Sequence, residues 1–260
     1  MKAFQLTGPR TFEEVNAPDP EPEDGQVLLK IEHVSICGSD THLNFGPALP
    51  EESYPFAPGL PCHEIAGTIV ESKNPEHAVG GRAILLPAFA AEVGITTGGL
   101  AEYIASEKVI PLPDYGETSD WVMCQPAGTA IQASREWGTT DDKTFLVMGQ
   151  GAIGLSTTAV AYRMGAQKVI AVDLDDYRLD KASQLGAEVT LNADRDDLLE
   201  AVMDLTEGEG VDVVVEATGD PDGLNVALGL VRKRGTIIGF SLVLATDPTI
   251  LRHQEWMRKE

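Results

Sequence analysis

The sequence predicts an α/β protein of two parts, in which a β-rich domain is followed by a doubly wound parallel sheet. Residues 1 to about 140 alternate short strand-like runs, such as "QVLLKIEHVSI", with proline-rich loops such as "NAPDPEPEDG". Residues 141 to 260 instead alternate apolar strand runs with amphipathic helical runs, a pattern typical of right-handed βαβ units. We therefore expect one domain over residues 1–140 and a second over residues 141–260.

The second part contains five predicted strands, which begin with "TFLVMG" and end with "TIIGFS". A helix is predicted for "DGLNVALGLVRKRG", immediately before the last of these strands. A complete doubly wound sheet of the common order has six strands. The pattern thus predicts a sheet that lacks its last strand.

Composition narrows the possible functions and partners. The 260 residues include 41 acidic and 19 basic side chains, for a formal net charge of −22. Such an acidic surface repels phosphate backbones and anionic lipids. We therefore expect neither a nucleic-acid partner nor a membrane partner. The acidity also fits a high-salt habitat. No run approaches the roughly 20 apolar residues of a membrane helix, and the N-terminus lacks the apolar segment of a signal peptide. Three cysteines outside any disulfide-dense framework indicate a reducing compartment, hence a cytoplasmic protein.

The stretch "GQGAIG" predicts a dinucleotide site, because it follows an apolar strand and opens a helix. Gly149 permits the tight turn, Gly151 lets the backbone approach the phosphates, and Gly154 lets helix and strand pack closely. The helix begins with Ala152 and Ile153, whose amides are candidates to hold a pyrophosphate.

The second strand of this part ends at Asp173, 19 residues after Gly154. A carboxylate at this place accepts hydrogen bonds from the adenosine ribose hydroxyls. Asp175 and Asp176 follow at once, so a ribose 2′-phosphate would meet three clustered acids, and NAD is predicted over NADP. Arg178 could lie against the adenine ribose, and it is the one feature that favours NADP.

The three cysteines lie in or beside segments with other metal-competent side chains. These segments contain Cys37 in "CGSDTH", Cys62 before His63 and Glu64, and Cys124 before Gln125. A catalytic zinc takes three protein ligands from cysteine, histidine and carboxylate and keeps one position open. The first domain is therefore expected to hold a metal, with the complete ligand set left open.

Together these motifs resemble the medium-chain, zinc-dependent alcohol dehydrogenase superfamily, in its polyol, sugar and threonine dehydrogenase branch. The resemblance is carried, in one colinear order, by "CGSDTH", "CHEIAGTIVE", "GGLAEYI", "QPAGTAIQA", "GQGAIG", "AVD" and "VVVEATG". It implies a GroES-like catalytic domain, a Rossmann domain without its last strand, one catalytic zinc and NAD. It also implies hydride transfer between NAD and a secondary alcohol, polyol or sugar-type substrate. The stretch that corresponds to the family's structural-zinc lobe, "LLPAFAAEVGITTGG", contains no cysteine, so no structural zinc is expected.

The resemblance implies that Cys37 and His63 are zinc ligands. For the third ligand Glu64, Gln125 and Cys124 all remain candidates. Cys62 stands where the family usually has glycine, and we interpret it as a packing thiol, with a role as alternative ligand left open.

The resemblance also implies roles for five further residues. Ser39 corresponds to the hydroxyl that takes the alcohol proton, and His42 to the far end of the proton relay. Thr129, Ala217 and Thr218 correspond to cofactor contacts.

The sequence stops before the family's sixth sheet strand and the return segment that follows it. We therefore expect a truncated or naturally short member, in which any homo-oligomer is weakened. Two alternatives remain: a catalytically incompetent chain that still binds NAD(H), and a zinc-free quinone or enone reductase. The retained ligand residues disfavour the second alternative.

Overall fold

The computed structural model describes residues 1–41, 45, 51–87, 89–90, 94–95, 98–241 and 250–259. The chain divides into two compact units, Met1–Gln125 and Pro126–Glu260. This division falls near the start of a helix, Cys124–Ser134, ahead of the change in sequence pattern near residue 140. The domain bounds inferred from that pattern stay a prediction.

The first unit is built mainly from β-strands. Among the described residues it contains β1 (Lys2–Gly8), β2 (Thr11–Asn16), β3 (Val27–Ser35), a 3₁₀ turn (Glu51–Ser53), β4 (Glu64–Ser72), β5 (Arg82–Leu85), β6 (Phe89–Ala90), β7 (Gly94–Ile95), β8 (Tyr103–Ser106), β9 (Val109–Pro111) and α1 (Thr118–Trp121), and α2 (Cys124–Ser134) begins at its end. An antiparallel five-stranded sheet has the order β8-β3-β4-β5-β9, and β1 pairs with β2 and β6 with β7. The expected β-rich first part is confirmed.

The core of the first unit lies on one face of this antiparallel sheet. Alternate residues of its strands are buried together, including Val27, Leu29, Ile65, Ile69 and Leu85. Side chains on a strand point to opposite faces in turn, so this alternation fixes which face of β3 and β4 is apolar.

The second unit alternates strands and helices as the sequence predicts. It contains β10 (Thr144–Met148), α3 (Ala152–Arg163), β11 (Lys168–Asp173), α4 (Asp176–Gln184), β12 (Val189–Asn192), α5 (Leu198–Leu205), β13 (Val211–Glu216), α6 (Gly223–Leu230), β14 (Val231–Gly239) and α7 (His253–Lys259). All neighbouring strands are parallel, in the order β12-β11-β10-β13-β14. The order reverses between β10 and β13, and ligands of open α/β sheets bind at such a point.

Both faces of the parallel sheet are covered. Leu146 packs with Ile170 and Val214 in one core cluster, whereas Val147 packs with Val215 in another. Successive side chains of one strand are thus buried on opposite faces of the sheet, which explains why the sequences of these strands are continuously apolar. None of the described helices has the length and apolar content that crossing a bilayer demands.

The helix predicted for residues 222–235 ends early, and this detail of the prediction is wrong. Helix α6 ends at Leu230, and the chain pairs directly with β13 through Val231 and Val211. Arg234 has a φ of 59°, which an α-helix does not tolerate, and the strand resumes its pairing at Thr236 after a register shift. Burial of Val231 in the sheet core therefore overrides the helical propensity of the segment.

Gly67 is expected to be essential for the close pairing of β4 with β3. A Cβ atom at this position would lie 2.0 Å from the carbonyl oxygen of Lys30. Because the obstructing atom belongs to the backbone, the strands must separate to admit a methyl group. We expect Gly67→Ala to lower the free energy of unfolding by about 3 kcal/mol, as measured by urea denaturation.

Gly229→Ala provides the matched control. Gly229 lies inside α6, and a Cβ atom there would meet nothing within 4 Å. The same substitution should raise the free energy of unfolding by about 0.5–1 kcal/mol, since alanine is the better helix former. Equal effects of the two substitutions would contradict the proposed role of Gly67.

Candidate metal centre and cofactor site

Antiparallel pairing of β3 with β4 assembles the candidate metal centre. Ser35 at the end of β3 pairs with Glu64 at the start of β4. Cys37 follows Ser35 closely, and His63 immediately precedes Glu64. The ligand-competent atoms of Cys37, His63 and Glu64 all lie within 4.8 Å of one another. Residues that lie far apart in the sequence are therefore brought to one point by strand register.

The polar groups at this point are buried and unsatisfied. Glu64 is 0% exposed and His63 is 2% exposed. Among the described residues, neither carboxylate oxygen of Glu64 has a hydrogen-bond partner, and the same holds for the hydroxyl of Ser39. Burial raises the pKa of Glu64 above its usual range. A buried carboxylate without donors is strongly destabilising unless a cation compensates it, so this centre fits a metal ion.

A second carboxylate lies beside the histidine. Asp40 is fully buried, and its Oδ2 accepts a hydrogen bond from the backbone N–H of Cys37 at 2.9 Å. Its Oδ1 lies 3.7 Å from Nδ1 of His63. Burial lowers the pKa of His63, but Asp40 and the Cys37 thiol raise it to a net value of about 9. Nδ1 of His63 has no hydrogen-bond partner among the described residues, so Asp40 acts on the imidazole through charge rather than through a hydrogen bond.

The donor set of the cluster fits zinc. A thiol, an imidazole and a carboxylate are the three ligand types that zinc takes in catalytic sites. Among the described residues, Cys37, His63 and Glu64 form the group of metal-competent side chains that lie this close together, and Cys124 is outside it. This geometry supports Glu64 over Cys124 as the third ligand. Gln125, the second residue of α2, stays a predicted alternative.

Cys62 has a different environment from Cys37. It is 0% exposed and packs in an apolar cluster with Leu6, Phe45 and Phe56. Burial and the Asp40 carboxylate raise the pKa of its thiol far above the usual range, which disfavours the thiolate that a metal requires. Its φ of 68° lies in the left-handed region, which explains why glycine suits this position. These features support its interpretation as a packing thiol.

The remaining predicted site residues of this unit and of α2 are only partly placed. Ser39 is buried beside Asp40 in the turn that follows Cys37. His42 lies outside the described residues. Thr129 lies in the middle of α2, and its role in cofactor binding stays a prediction.

The glycine turn of the second unit has the geometry that a dinucleotide requires. Gly149 has a φ of 83°, and a Cβ atom at Gly154 would lie 1.7 Å from the carbonyl oxygen of Gly149. A Cβ atom at Gly151, in contrast, would meet nothing within 4 Å, so the open space beside it is free for a ligand. Ala152 and Ile153 open α3, where amides of the first turn have no intrahelical acceptor. The turn therefore fits a pyrophosphate.

Asp173 is held at the end of β11 by backbone donors. Its Oδ1 accepts from the N–H groups of Leu174 and Asp175 at 2.8 and 3.0 Å, and its Oδ2 accepts from the N–H of Gln150. A carboxylate offers about four acceptor positions, so capacity remains for a ribose hydroxyl. The carboxylate is thus fixed next to the glycine turn, as the ribose role requires.

The acids near Asp173 do not act as one cluster. Arg195 and Asn192 hold the carboxylate of Asp176 and lower its pKa to about 2, so that its charge is already paired. Arg178 is exposed, and its Nη1 lies 3.9 Å from Oδ2 of Asp173. Among these residues Asp173 is the acid that lies next to the glycine turn, and its predicted part in selecting NAD stays a prediction.

The loop after β13 contains the predicted contacts Ala217 and Thr218 and abuts the glycine turn. A Cβ atom at Gly149 would lie 2.5 Å from the carbonyl oxygen of Ala217. Sequence reasoning interpreted Asp40 as a turn acid or an acid behind the metal ligands, and it missed the buried Glu216 at the end of β13. An acid that ends an otherwise apolar strand was the signal that could have revealed Glu216.

Known proteins resemble the chain over both units. The model of the alcohol dehydrogenase GroES-like domain matches residues 23–114, and that of the zinc-binding dehydrogenase matches residues 152–260. A zinc-type alcohol dehydrogenase-like protein of Escherichia coli is 30% identical over 90% of this chain and 74% of its own length. Sorbitol dehydrogenase of Bacillus subtilis is also 30% identical, over 91% of this chain and 74% of its own length.

Solved structures show the same fold. An Escherichia coli oxidoreductase of unknown specificity superposes with a TM-score of 0.88 at 26% identity, and the match covers 99% of this chain and 81% of that protein. The predicted fold class, a GroES-like domain joined to a Rossmann domain, is thereby confirmed. These similarities show that the chain belongs to the medium-chain, zinc-dependent alcohol dehydrogenase superfamily.

Proposed function

We propose that the protein is an NAD-dependent zinc dehydrogenase that transfers a hydride between NAD and a secondary alcohol, polyol or sugar-type substrate. The observation that carries this proposal is the buried cluster of Cys37, His63 and Glu64, whose carboxylate has no hydrogen-bond donor among the described residues. A remnant that only bound dinucleotide would have no use for so unfavourable an arrangement. The cluster therefore favours an active enzyme over the catalytically incompetent alternative.

The proposed metal ligands belong to the first unit, and the proposed dinucleotide site belongs to the second. Cys37, His63 and Glu64 would hold the zinc, and the buried Asp40 carboxylate would lie beside the His63 ring. When bound, zinc supplies Lewis-acid polarisation of the alcohol oxygen, and NAD supplies a hydride acceptor. Burial of the cluster limits the access of water, which strengthens electrostatic interactions there.

Ser39 is proposed to accept the proton that the substrate hydroxyl loses. Its Oγ is buried near the cluster and has no hydrogen-bond partner among the described residues, so it is available to a substrate. A serine hydroxyl can accept one proton only by passing its own onward, and His42 is proposed as the group that receives it.

The substrate class is inferred from the relatives. Their names include sorbitol dehydrogenase, D-arabitol-phosphate dehydrogenase and L-threonine 3-dehydrogenase. Sorbitol, arabitol phosphate and threonine all contain a secondary alcohol with polar neighbours. We propose a substrate of this type.

We also propose a single catalytic zinc, no structural zinc and a cytoplasmic location. A homo-oligomer stays a prediction.

Turnover tests the proposal directly. Purified protein with zinc and NAD should reduce NAD in the presence of a panel of polyols, sugar alcohols and threonine, followed at the absorbance of NADH. Because the reaction needs both the ligand cluster and Ser39, Ser39→Ala should lower kcat by about a hundredfold with a much smaller change in zinc content. Failure of the wild type on every secondary alcohol, while it binds zinc and NADH, would favour the incompetent alternative.

Zinc content tests the ligand assignment. We expect about one zinc per chain in protein that has not been exposed to chelators, measured by elemental mass spectrometry. Cys37→Ser and Glu64→Gln should each remove most of this zinc, because two remaining ligands bind it weakly. Cys124→Ser is the matched control, since it makes the same change at a thiol outside the cluster. If Cys124→Ser were the variant that lost zinc and Glu64→Gln kept it, the assignment of Glu64 would be overturned.

Cofactor preference tests the role of Asp173. The wild type should bind NADH at least about a hundredfold more tightly than NADPH, because the 2′-phosphate would approach a fixed carboxylate. Asp173→Asn should narrow this ratio strongly in fluorescence titrations. Asp176→Asn, which removes a charge already paired with Arg195, should leave the ratio unchanged. A ratio that responds equally to both substitutions would count against the assignment.

A further inference from the structure

Glu216, a buried carboxylate to which the proposed reaction gives no part, ends strand β13. It is 1% exposed. Its Oε1 accepts three hydrogen bonds: from the backbone N–H of Thr218 at 2.8 Å, from the hydroxyl of Thr218 at 2.5 Å and from the hydroxyl of Ser241 at 2.8 Å. Thr218 follows β13 and Ser241 follows β14. One carboxylate oxygen therefore joins the loops that leave two neighbouring strands.

The direction of these bonds is fixed by counting protons. The Thr218 hydroxyl accepts a hydrogen bond from the N–H of Asp220 at 3.0 Å, and the Ser241 hydroxyl accepts one from the N–H of Gly219 at 2.7 Å. Each hydroxyl has a single proton, and each directs it to Glu216. The acceptor must consequently be an oxygen without a proton of its own. The network orders the segment from Ala217 to Asp220 through its backbone amides.

This segment lies where the sheet order reverses. Strands β10 and β13 are neighbours, and the connections that follow them run in opposite directions along the sheet. The N–H of Ala217 donates to the carbonyl of Met148 at 2.9 Å, and the Ala217 carbonyl closely faces Gly149. The loop that Glu216 orders thus contacts the glycine turn, at the edge of the sheet where ligands of open α/β sheets bind.

The strand order also indicates which half of the dinucleotide meets this wall. Asp173, the proposed ribose acceptor, ends β11, which lies on one side of β10. The pyrophosphate site at the start of α3 follows β10 itself. A dinucleotide that crosses β10 in this direction extends its nicotinamide half over β13, where Glu216 lies. This step rests on the proposed function, because it takes the ligand to be NAD.

We propose that Glu216 is a positioning residue that holds the loop from Ala217 to Gly219 in the conformation that receives the nicotinamide half of the cofactor. It acts through Thr218 and Ser241 rather than by touching the cofactor. Without the carboxylate, two hydroxyls and one amide lose their common acceptor, and the loop loses its fixed position against the glycine turn. The adenosine half, held by Asp173 and the start of α3, does not depend on this network.

The test compares two ligands of the full chain, NADH and ADP-ribose, since ADP-ribose keeps the adenosine and pyrophosphate but lacks nicotinamide. Glu216→Met removes the acceptor at similar side-chain length, and Glu216→Gln keeps one acceptor oxygen. We expect Glu216→Met to weaken NADH binding by about tenfold and ADP-ribose binding by less than about twofold, measured by calorimetric titration. Glu216→Gln should lie between the wild type and Glu216→Met.

Asp212→Asn is the matched control. Asp212 lies at the opposite end of the same strand, where it accepts from the N–H of Thr144 at 2.8 Å and pairs with Arg232 at 2.7 Å. Replacing the Asp212 carboxylate tests whether a general loss of sheet stability is enough to change the two affinities. The ratio of NADH to ADP-ribose affinity should remain that of the wild type in this variant.

The outcomes separate this inference from the proposed function. Equal weakening of both ligands by Glu216→Met, or no change in either, would overturn the positioning role while the wild type still binds NADH. A wild type that binds neither ligand would overturn the cofactor assignment itself, and this inference with it. If Glu216→Met does not fold, Ser241→Ala removes one of the two hydroxyls, and the same change in the affinity ratio decides the question.

Discussion

Antiparallel pairing of β3 with β4 is the interaction on which the candidate metal centre depends. The register that pairs Ser35 with Glu64 brings Cys37 to His63 and Glu64, although a long proline-rich segment separates them in the sequence. The same pairing aligns the apolar residues of both strands into the core of the first unit. A shift of one residue would turn the core face outward, so folding of the sheet and assembly of the site are one event.

Three buried carboxylates illustrate how partners decide the role of an acid. Glu216 and Asp173 each accept three hydrogen bonds, so each orders the backbone around it. Glu64 has no hydrogen-bond donor among the described residues, although it is equally buried. An acid with donors organises loops, whereas an acid without donors calls for a cation. The chemistry of the two sites follows from this difference.

Much of the second unit could be predicted from local pattern, because both faces of a parallel sheet are covered and its strands read as unbroken apolar runs. The glycine turn and Asp173 were recognisable for a similar reason, since their spacing reflects steric needs within one βαβ unit. The end of α6 was not recognisable. The local pattern of residues 231–235 favours helix, but the pairing of Val231 with Val211 decides their conformation.

By itself the sequence determined the alternation of elements, the cofactor turn, the family and the candidate ligands, because each depends on residues that are close in the chain or stand in a family motif. Only the tertiary structure decided that Glu64 joins Cys37 and His63 while Cys124 stays outside their cluster, and that Arg195 forms an ion pair with Asp176. It alone revealed the network of Glu216, which joins loops from two strands. Burial and hydrogen-bond partners arise from contacts between distant segments, and no local pattern encodes them.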